Sequence, residues 1–369
     1  MSDTQTPGPA DSRPLAPNQG GYRAGARPTL ADIAQAAGVS RMTVSNALNG
    51  RGGVSAEMRD RIRDIARDKG YVTNWVAKKL SDSRTGGETG IIGVIAEIHT
   101  PFMGEVVSAI SGAVRDQDRD MLVYSLPDPG KSFPGNVLDL LLHAVDGVIA
   151  VIPRDTRDFH LLASAGVPMV VVDPLVEGLN MPSVAADSYG GARCAMAHLI
   201  ALGHRKIAFL GGEERRLSAQ ERLRGYREAL HEASIPYRDD YVVDANFLPE
   251  PARAATTALL ALDDPPTAIF AGNDASALSA IAVIEQAGLA VPEDVSIIGF
   301  DDVSLASQAN RGLTTIRQPF AEIGAAAVQL LLDIRAGDQD APVSHLSLPV
   351  KLITRTTTAK PRPAKPTAP

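Results

Sequence analysis

Arg41, Met42, Ser45 and Asn46 are the residues whose types and spacing point most directly to chemistry. On a helix, residues four apart share a face, so Arg41 with Ser45 and Met42 with Asn46 can lie together on the outer side. An arginine can donate two hydrogen bonds to guanine O6 and N7, an asparagine can pair with adenine N6 and N7, and a methionine suits a thymine methyl. Ser40, Thr43, Ser45 and Asn49 carry groups that can bond phosphates and fix register. A second set follows aliphatic runs: Asp173 after 169–172, Asn273-Asp274 after 268–271, and Asp301-Asp302 after 295–300. Paired acids can serve a metal or acid–base chemistry. Neither a GxSxG nucleophile elbow nor a GxxxxGK[ST] phosphate loop accompanies them, and the histidines are dispersed, so catalysis is disfavoured and each histidine reads as structural.

The elements that must hold the first set read as a helix, a tight turn and a helix. Thr29-Leu30-Ala31-Asp32 fits a capping box. Leu30, Ile33, Ala34 and Ala37 share a face, Gly38 suits the left-handed turn, and Ser40 can cap a second helix to about Leu48. Val44, Ala47 and Leu48 then face inward. A third helix, from about Ser55 to Lys69, turns Met58, Ile62, Ile65 and Ala66 inward. Residue pattern alone leaves two readings open: a DNA-reading helix-turn-helix, or a three-helix module with a polar face. Asn74-Trp75-Val76-Ala77-Lys78-Lys79-Leu80 is too short for a stable isolated helix. It reads either as a short linker helix or as a segment that orders on DNA, with Leu80 as a wedge.

From Ile91 to about Thr358, aliphatic runs at 91–96, 121–126, 147–152, 169–172, 206–210, 268–271 and 295–300 alternate with helical stretches. Runs apolar at every position predict strands buried on both faces, hence parallel sheets flanked by helices. Some 270 residues are too many for one such sheet, so two α/β lobes with a cleft are predicted. Residues 1–27 and 359–369 read as disordered tails, and 81–90 as a flexible linker.

The chain of 369 residues has a net charge of −7. Residues 28–80 carry nine Lys/Arg against five acids, the preceding tail adds +1, and the remainder sums to −12. A basic head therefore precedes an acidic body, which suits a polyanion partner for the head alone. Cys194, the one cysteine, rules out an internal disulfide, and no CxxC or HExxH spacing implies zinc. No secretory h-region and no run of about 20 apolar residues is present, so a soluble cytoplasmic protein is expected, with no membrane association.

The segments 29–34, 38–49, 69–71 and 74–80 resemble the amino-terminal domain of the LacI/GalR family of bacterial transcriptional regulators. The resemblance covers nearly all of 28–358, through Leu202-Gly203-His204-Arg205-Lys206-Ile207-Ala208, Arg222-Leu223-Arg224-Gly225-Tyr226, Asn273-Asp274, Ile298-Gly299-Phe300-Asp301-Asp302 and Leu313-Thr314-Thr315-Ile316. It implies a helix-turn-helix domain over 28–73, a hinge helix and linker over 74–90, and a two-lobed, periplasmic-binding-protein-like domain over 91–358. The lobes are expected at about 91–187 with 318–345, and 188–317 with 346–358.

The resemblance further implies a nucleoid-associated dimeric repressor on a near-palindromic operator, controlled by a small ligand, a sugar or nucleoside. Arg41, Met42 and Asn46 would read bases. Thr29, Ser40, Thr43, Ser45, Asn49, Ser55, Tyr71, Asn74, Ala77, Lys78 and Lys79 would complete the DNA-binding set, and Leu80 would lever open the central step. Trp75 departs from the small or basic residue of the family. Phe102, Met103, Asp173, Arg222, Phe247, Asn273 and Asp301 would bind the effector, with Phe247 as a stacking plate. A structural salt bridge between Arg222 and Asp301 is the competing reading. No cofactor or metal is implied. The four prolines of 359–369, without a leucine heptad, favour a dimer over a tetramer.

Overall fold

The computed structural model describes residues 28–48, 52–71, 88–125, 135–152, 157–175, 180–308, 312–337 and 344–362. They fall into two compact units, one described over 28–71 and the other over 88–362.

The first unit holds three helices: α1 (Leu30–Ala37), α2 (Arg41–Leu48) and α3 (Ala56–Asp68). The predicted capping box is present: the Asp32 amide donates to Thr29 Oγ1 at 3.4 Å, and the Thr29 amide donates to Asp32 Oδ2 at 2.6 Å. The Thr29 amide and then the Thr29 hydroxyl, which also donates to Asp32 Oδ2 at 2.7 Å, hold the Asp32 carboxyl below its ordinary range. Gly38 makes the turn at φ 69°, a conformation that side-chain-bearing residues rarely adopt. Ser40 Oγ then accepts from the Thr43 amide at 3.1 Å and starts α2. Ile33, Val44, Ala47 and Ile62 are fully buried and form a small aliphatic core, with Leu30, Met58, Ile65 and Tyr71 packed around it. Each of the larger members contributes about 1.5–3 kcal/mol by leaving water.

The second unit is built on two six-stranded sheets. The first sheet has the order β11-β5-β4-β3-β1-β2, entirely parallel, from β1 (Ile91–Ala96), β2 (Asp120–Ser125), β3 (Gly147–Val151), β4 (Met169–Val172), β5 (Ser183–Ala186) and β11 (His345–Leu348). The second has the order β12-β10-β9-β8-β6-β7, from β6 (Ile207–Gly211), β7 (Val242–Asp244), β8 (Ala268–Ala271), β9 (Ser296–Asp301), β10 (Thr315–Arg317) and β12 (Lys351–Ile353). Only β12 is antiparallel to its neighbour in this sheet. The helices are α4 (Pro101–Asp116), α5 (Gly135–Ala144), α6 (Arg157–Ser164), α7 (Ser188–Ala201), α8 (Leu217–Glu232), α9 (Pro249–Leu260), α10 (Asp274–Gln286), α11 (Ser304–Gln308) and α12 (Phe320–Arg335).

Two expectations need correction. The chain leaves the first sheet for the last time after Leu348, not at 345/346, because β11 pairs with β5 in the register His345↔Ser183 to Leu348↔Ala186. The run near 121–126 is an edge strand over Asp120–Ser125, and none of its residues is fully buried. With only β1 beside it, it lacks the cover that buries every residue of β1, β3, β4, β6, β8 and β9.

Where the chain enters the first sheet, the buried carboxylate of Asp146 gathers a clamp. The Thr89 amide and hydroxyl donate to its Oδ1 at 2.7 and 2.9 Å, and the Gly90 amide donates to Oδ2 at 2.8 Å. Arg119 reaches Oδ2 at 2.8 Å, and Arg335, in the last turn of α12, reaches Oδ1 at 2.5 Å. Burial alone would raise the Asp146 carboxyl, but Arg335 and the Thr89 hydrogen bonds outweigh it and hold the group below its ordinary value.

Candidate functional site

On the first unit, α2 turns Val44 and Ala47 into the core and leaves Arg41 and Met42 exposed, Met42 at 70%. Thr43, Ser45 and Asn46 are half-buried beside them. A methionine so exposed gains nothing from folding, which suits a contact surface. Thr29, Ser40 and Ser55 begin α1, α2 and α3, each accepting a hydrogen bond from the amide three residues on. Tyr71 is half-buried against the small core. The expected DNA contacts Asn49, Asn74, Ala77, Lys78, Lys79 and Leu80 lie outside the described residues.

In the second unit, a cavity of about 440 Å3 opens between the two sheets. All seven candidate effector residues line it. Phe102 and Met103 come from the first turn of α4, where Thr100 Oγ1 accepts from the Met103 amide at 3.3 Å. Asp173 follows β4, Phe247 follows β7 and Asp301 ends β9, with φ of 55°, 58° and 119°. Side-chain-bearing residues in this region store strain, which fits their position at the carboxyl ends of strands, where such folds place ligands. The tip of the Phe247 ring lies against Gly212, where a Cβ would come within 2.1 Å of its Cζ. Asn273 caps α10, its Oδ1 accepting from the Ser276 amide at 3.0 Å while its Nδ2 donates to Phe247 O at 3.1 Å.

Arg222, on α8, is the centre of the arrangement. Its guanidinium stands 3.7 Å from the centroid of Phe300 and 5.3 Å from that of Phe247. It donates to Gly272 O at 2.5 Å and through Nε to Ser188 Oγ at 3.3 Å. Asp301 is 3.8 Å away, close enough to attract but too far for a hydrogen bond. Gln318 Nε2 instead donates to Asp301 Oδ1 at 2.7 Å. The competing reading of a structural salt bridge is thus met in part: the two groups form a buried ion pair, without a direct hydrogen bond.

Burial dominates the electrostatics. It pushes the Asp301 carboxyl up to about 7, with Arg222 the main opposing influence. Asp173 is likewise raised by burial against the pull of Arg222 and Arg216, and burial lowers Arg222 itself. Behind the cleft, fully buried Asp274 is raised well above the carboxylate range, first by burial and then by Asp301. Its oxygens accept from Thr315 Oγ1 at 2.5 Å and the Val303 amide at 3.0 Å, so its work is internal. The adjacent acids also part company: Asp301 faces the cleft, whereas Asp302 pairs with Arg317 and Arg355, each at 2.7 Å. A cleft with carboxyls, a guanidinium and an aromatic plate can donate to and accept from hydroxyls and cover an apolar face.

Sequence reasoning missed Glu97, His99, Glu213, Arg216, Ser218, Asn246 and Leu248, which also line the cleft. The signal was available for Glu97 and Glu213: both sit just beyond β1 and β6, the same strand-end position that singled out Asp173. His204 is buried and bonded at 2.9 Å to Thr267 Oγ1 and 2.8 Å to Ala359 O, a structural arrangement. Among the described residues, no cluster of three or more His, Cys, Asp or Glu is placed to hold a metal, and no helix is long and apolar enough to cross a membrane.

Comparison with known proteins gives two family matches: bacterial regulatory proteins of the lacI family over residues 29–74, and a periplasmic binding protein-like domain over 196–358. The ribose operon repressor of Haemophilus influenzae is 33% identical over 305 residues, 82% of this chain and 91% of that protein. A lac repressor dimer bound to operator and the anti-inducer ONPF superposes with a TM-score of 0.75 at 30% identity, covering 90% of this chain and all of that one. The transcriptional regulator CelR in complex with cellobiose does so with a TM-score of 0.67 at 31% identity, over 90% of this chain and all of that one.

Proposed function

Because this chain belongs to the lacI family of bacterial regulatory proteins, we propose that it is a cytoplasmic, homodimeric repressor whose operator affinity is set by a sugar or nucleoside held between the lobes. Arg41, Met42 and Asn46 read base edges from the exposed face of α2. Lys78 and Lys79 neutralise phosphate, and Leu80 levers open the centre of a near-palindromic site. Phe102, Met103, Asp173, Arg222, Phe247, Asn273 and Asp301 hold the effector. The observation that carries this reading is the convergence of those seven residues, from both sheets, on one cavity in a chain that also exposes Arg41 and Met42 on α2.

A ligand that prefers one arrangement of the lobes must change operator affinity, and operator must change ligand affinity by the same factor. The relatives point to the ligand class: one solved structure contains cellobiose, another contains ribose, and one curated relative is a ribose operon repressor. The chain is read as a regulator rather than an enzyme, in keeping with relatives that are named transcriptional regulators and repressors. Fluorescence anisotropy on a duplex selected from a random pool tests the reading. A ligand-dependent shift in operator affinity is expected. No preference for any duplex, or turnover of a bound sugar, would overturn it.

A further inference from the structure

Asp301 and Asp302 are consecutive side-chain-bearing residues with positive φ, 119° and 57°. Such a pair persists only where its surroundings hold it. On one side Gln318 does so: its amide donates to Asp301 O at 3.1 Å and its Nε2 to Asp301 Oδ1 at 2.7 Å. On the other side the Val303 amide donates to Asp274 Oδ2 at 3.0 Å. Between them the Asp302 carboxylate, only 4% exposed, meets a guanidinium at each oxygen. Arg317 Nε donates to Oδ2, and Arg355 Nη2 lies beside Oδ1, each at 2.7 Å.

The two arginines are not equivalent. The Arg317 side chain is 52% exposed, whereas that of Arg355 is 18% exposed and fixed at further points. Arg355 Nη1 donates to Leu313 O at 2.6 Å, and its amide donates to Thr314 Oγ1 at 2.9 Å. Gly312, at φ 59°, lets the backbone press against its stem, where a Cβ would come within 2.9 Å of Arg355 Cδ. The segment that follows is sewn to the second sheet: the Thr356 amide donates to Gly312 O at 3.2 Å, Thr357 Oγ1 accepts from the Thr314 amide at 2.9 Å and donates to Ile297 O at 2.8 Å, and the Ala359 amide donates to Ser296 Oγ at 3.0 Å. A planar guanidinium on so fixed a backbone loses little further freedom in gripping a carboxylate.

We propose that Arg355 is a positioning residue for effector binding: by fixing the Asp302 carboxylate it keeps the turn at 301–302 in its strained form, and so holds the Asp301 carboxyl in the cleft, 3.8 Å from Arg222 and without a direct hydrogen bond to it. Without Arg355 the turn relaxes, and the Asp301 carboxyl leaves the place from which it faces a ligand. The inference rests on the cleft being the effector site, and it adds a residue outside the cleft lining that sets the geometry of that site whatever the effector is.

Calorimetric titration of the full chain with ribose, cellobiose, adenosine and cytidine, together with hydrogen exchange of the peptides covering 301–304 and 318, tests it. Arg355→Met weakens the tightest of these ligands by roughly tenfold or more and speeds exchange in both peptides, and Arg355→Lys, which keeps the charge on Asp302, recovers most of the affinity. Arg362→Met, which removes only the pairing with Asp294 further along the same segment, leaves affinity within about twofold. Asp302→Asn, equal in size, weakens binding as Arg355→Met does and stands in for it if that variant fails to fold. The double variant loses no more than either single one, because both act through one pair. Wild-type affinity in Arg355→Met, or losses that simply add in the double variant, would overturn the positioning role and leave the effector reading intact. Failure of the effector reading looks different: none of the four compounds binds the wild-type protein or moves its operator affinity. Exchange over 301–304 then still decides the anchor, faster in Arg355→Met if it holds and unchanged if it does not.

Discussion

Glu105 and Ser304 lie 199 residues apart in sequence and meet across the two lobes: Glu105 Oε1 accepts from the Ser304 amide at 3.0 Å and from its hydroxyl at 2.6 Å. Glu105 is on α4, which begins at the cleft, and Ser304 opens α11, so one carboxylate from the first lobe caps a helix of the second. The bond can form only when the lobes are close. Glu105→Ala should therefore favour the open arrangement by about 0.5–1.5 kcal/mol, up to roughly tenfold in effector affinity. Small-angle scattering of the ligand-free variant should show a larger radius of gyration, and an unchanged profile with unchanged affinity would deny the latch.

Readout by α2 makes a different demand. Arg41→Ala should relax preference at one guanine at a cost of about 1–3 kcal/mol, whereas Lys78→Ala should weaken all duplexes similarly and flatten the salt dependence. Anisotropy titrations on specific and random DNA over a range of salt separate the two. Equal losses on both duplexes for Arg41→Ala would contradict base reading.

The raised Asp301 carboxyl has a defined pH signature. Its folded value of about 7 exceeds the ordinary 3.8, so the native state holds a proton that the unfolded chain releases. Stability from this group is full below about pH 4 and is lost as pH rises toward 7. Asp301→Asn removes that slope, so thermal melts should show the variant gaining on the wild-type protein between pH 5 and 8. Effector binding should fall in the same variant, because a carboxyl lining the cleft is gone.

Asp146 should behave in the opposite sense. Its carboxyl is held low, so its contribution is present at neutral pH and lost on acidification through the folded value. Asp146→Ala leaves Arg119 and Arg335 with Glu88, at 2.8 and 3.6 Å, as their remaining shared partner, and should cost about 1–3 kcal/mol in chemical denaturation of the second unit. A cost below 1 kcal/mol would reduce the clamp to a surface feature.

Phe247 depends on Gly212 for its place. Gly212→Val would put side-chain carbon inside the phenyl ring's position, expel the plate from the cleft and weaken effector binding by tenfold or more while DNA binding by the ligand-free protein persists. Titration of the variant with the effector provides the check.

Much of this was legible in sequence because local rules decide it. Thr29 and Asp32 announce the start of α1, Gly38 its end, and runs such as Ile91–Ala96 and Ala268–Ala271 can only be strands buried on both faces. Ser183–Ala186 and His345–Leu348 were not legible: they are as short as Ala268–Ala271 but contain serine or histidine in place of a continuous apolar run, and the exposed, polar second of them is held by pairing with the first rather than by its own pattern. The cleft acids could be found from their position after strands. The separation of Asp301 from Asp302 could not, because it depends on Arg317 and Arg355 arriving from distant parts of the chain.

Helix α12 joins two places described separately above. Gln318, two residues before its start, holds Asp301 at the cleft, and Phe320 meets Phe102 edge-on with ring centroids 5.7 Å apart. Its last residue, Arg335, grips Asp146, which in turn holds Thr89 just before β1. Sixteen helical residues make a stiff strut of about 24 Å. A displacement of Gln318 at one tip is therefore carried to Arg335 and Asp146 at the other, with no intervening loop to absorb it.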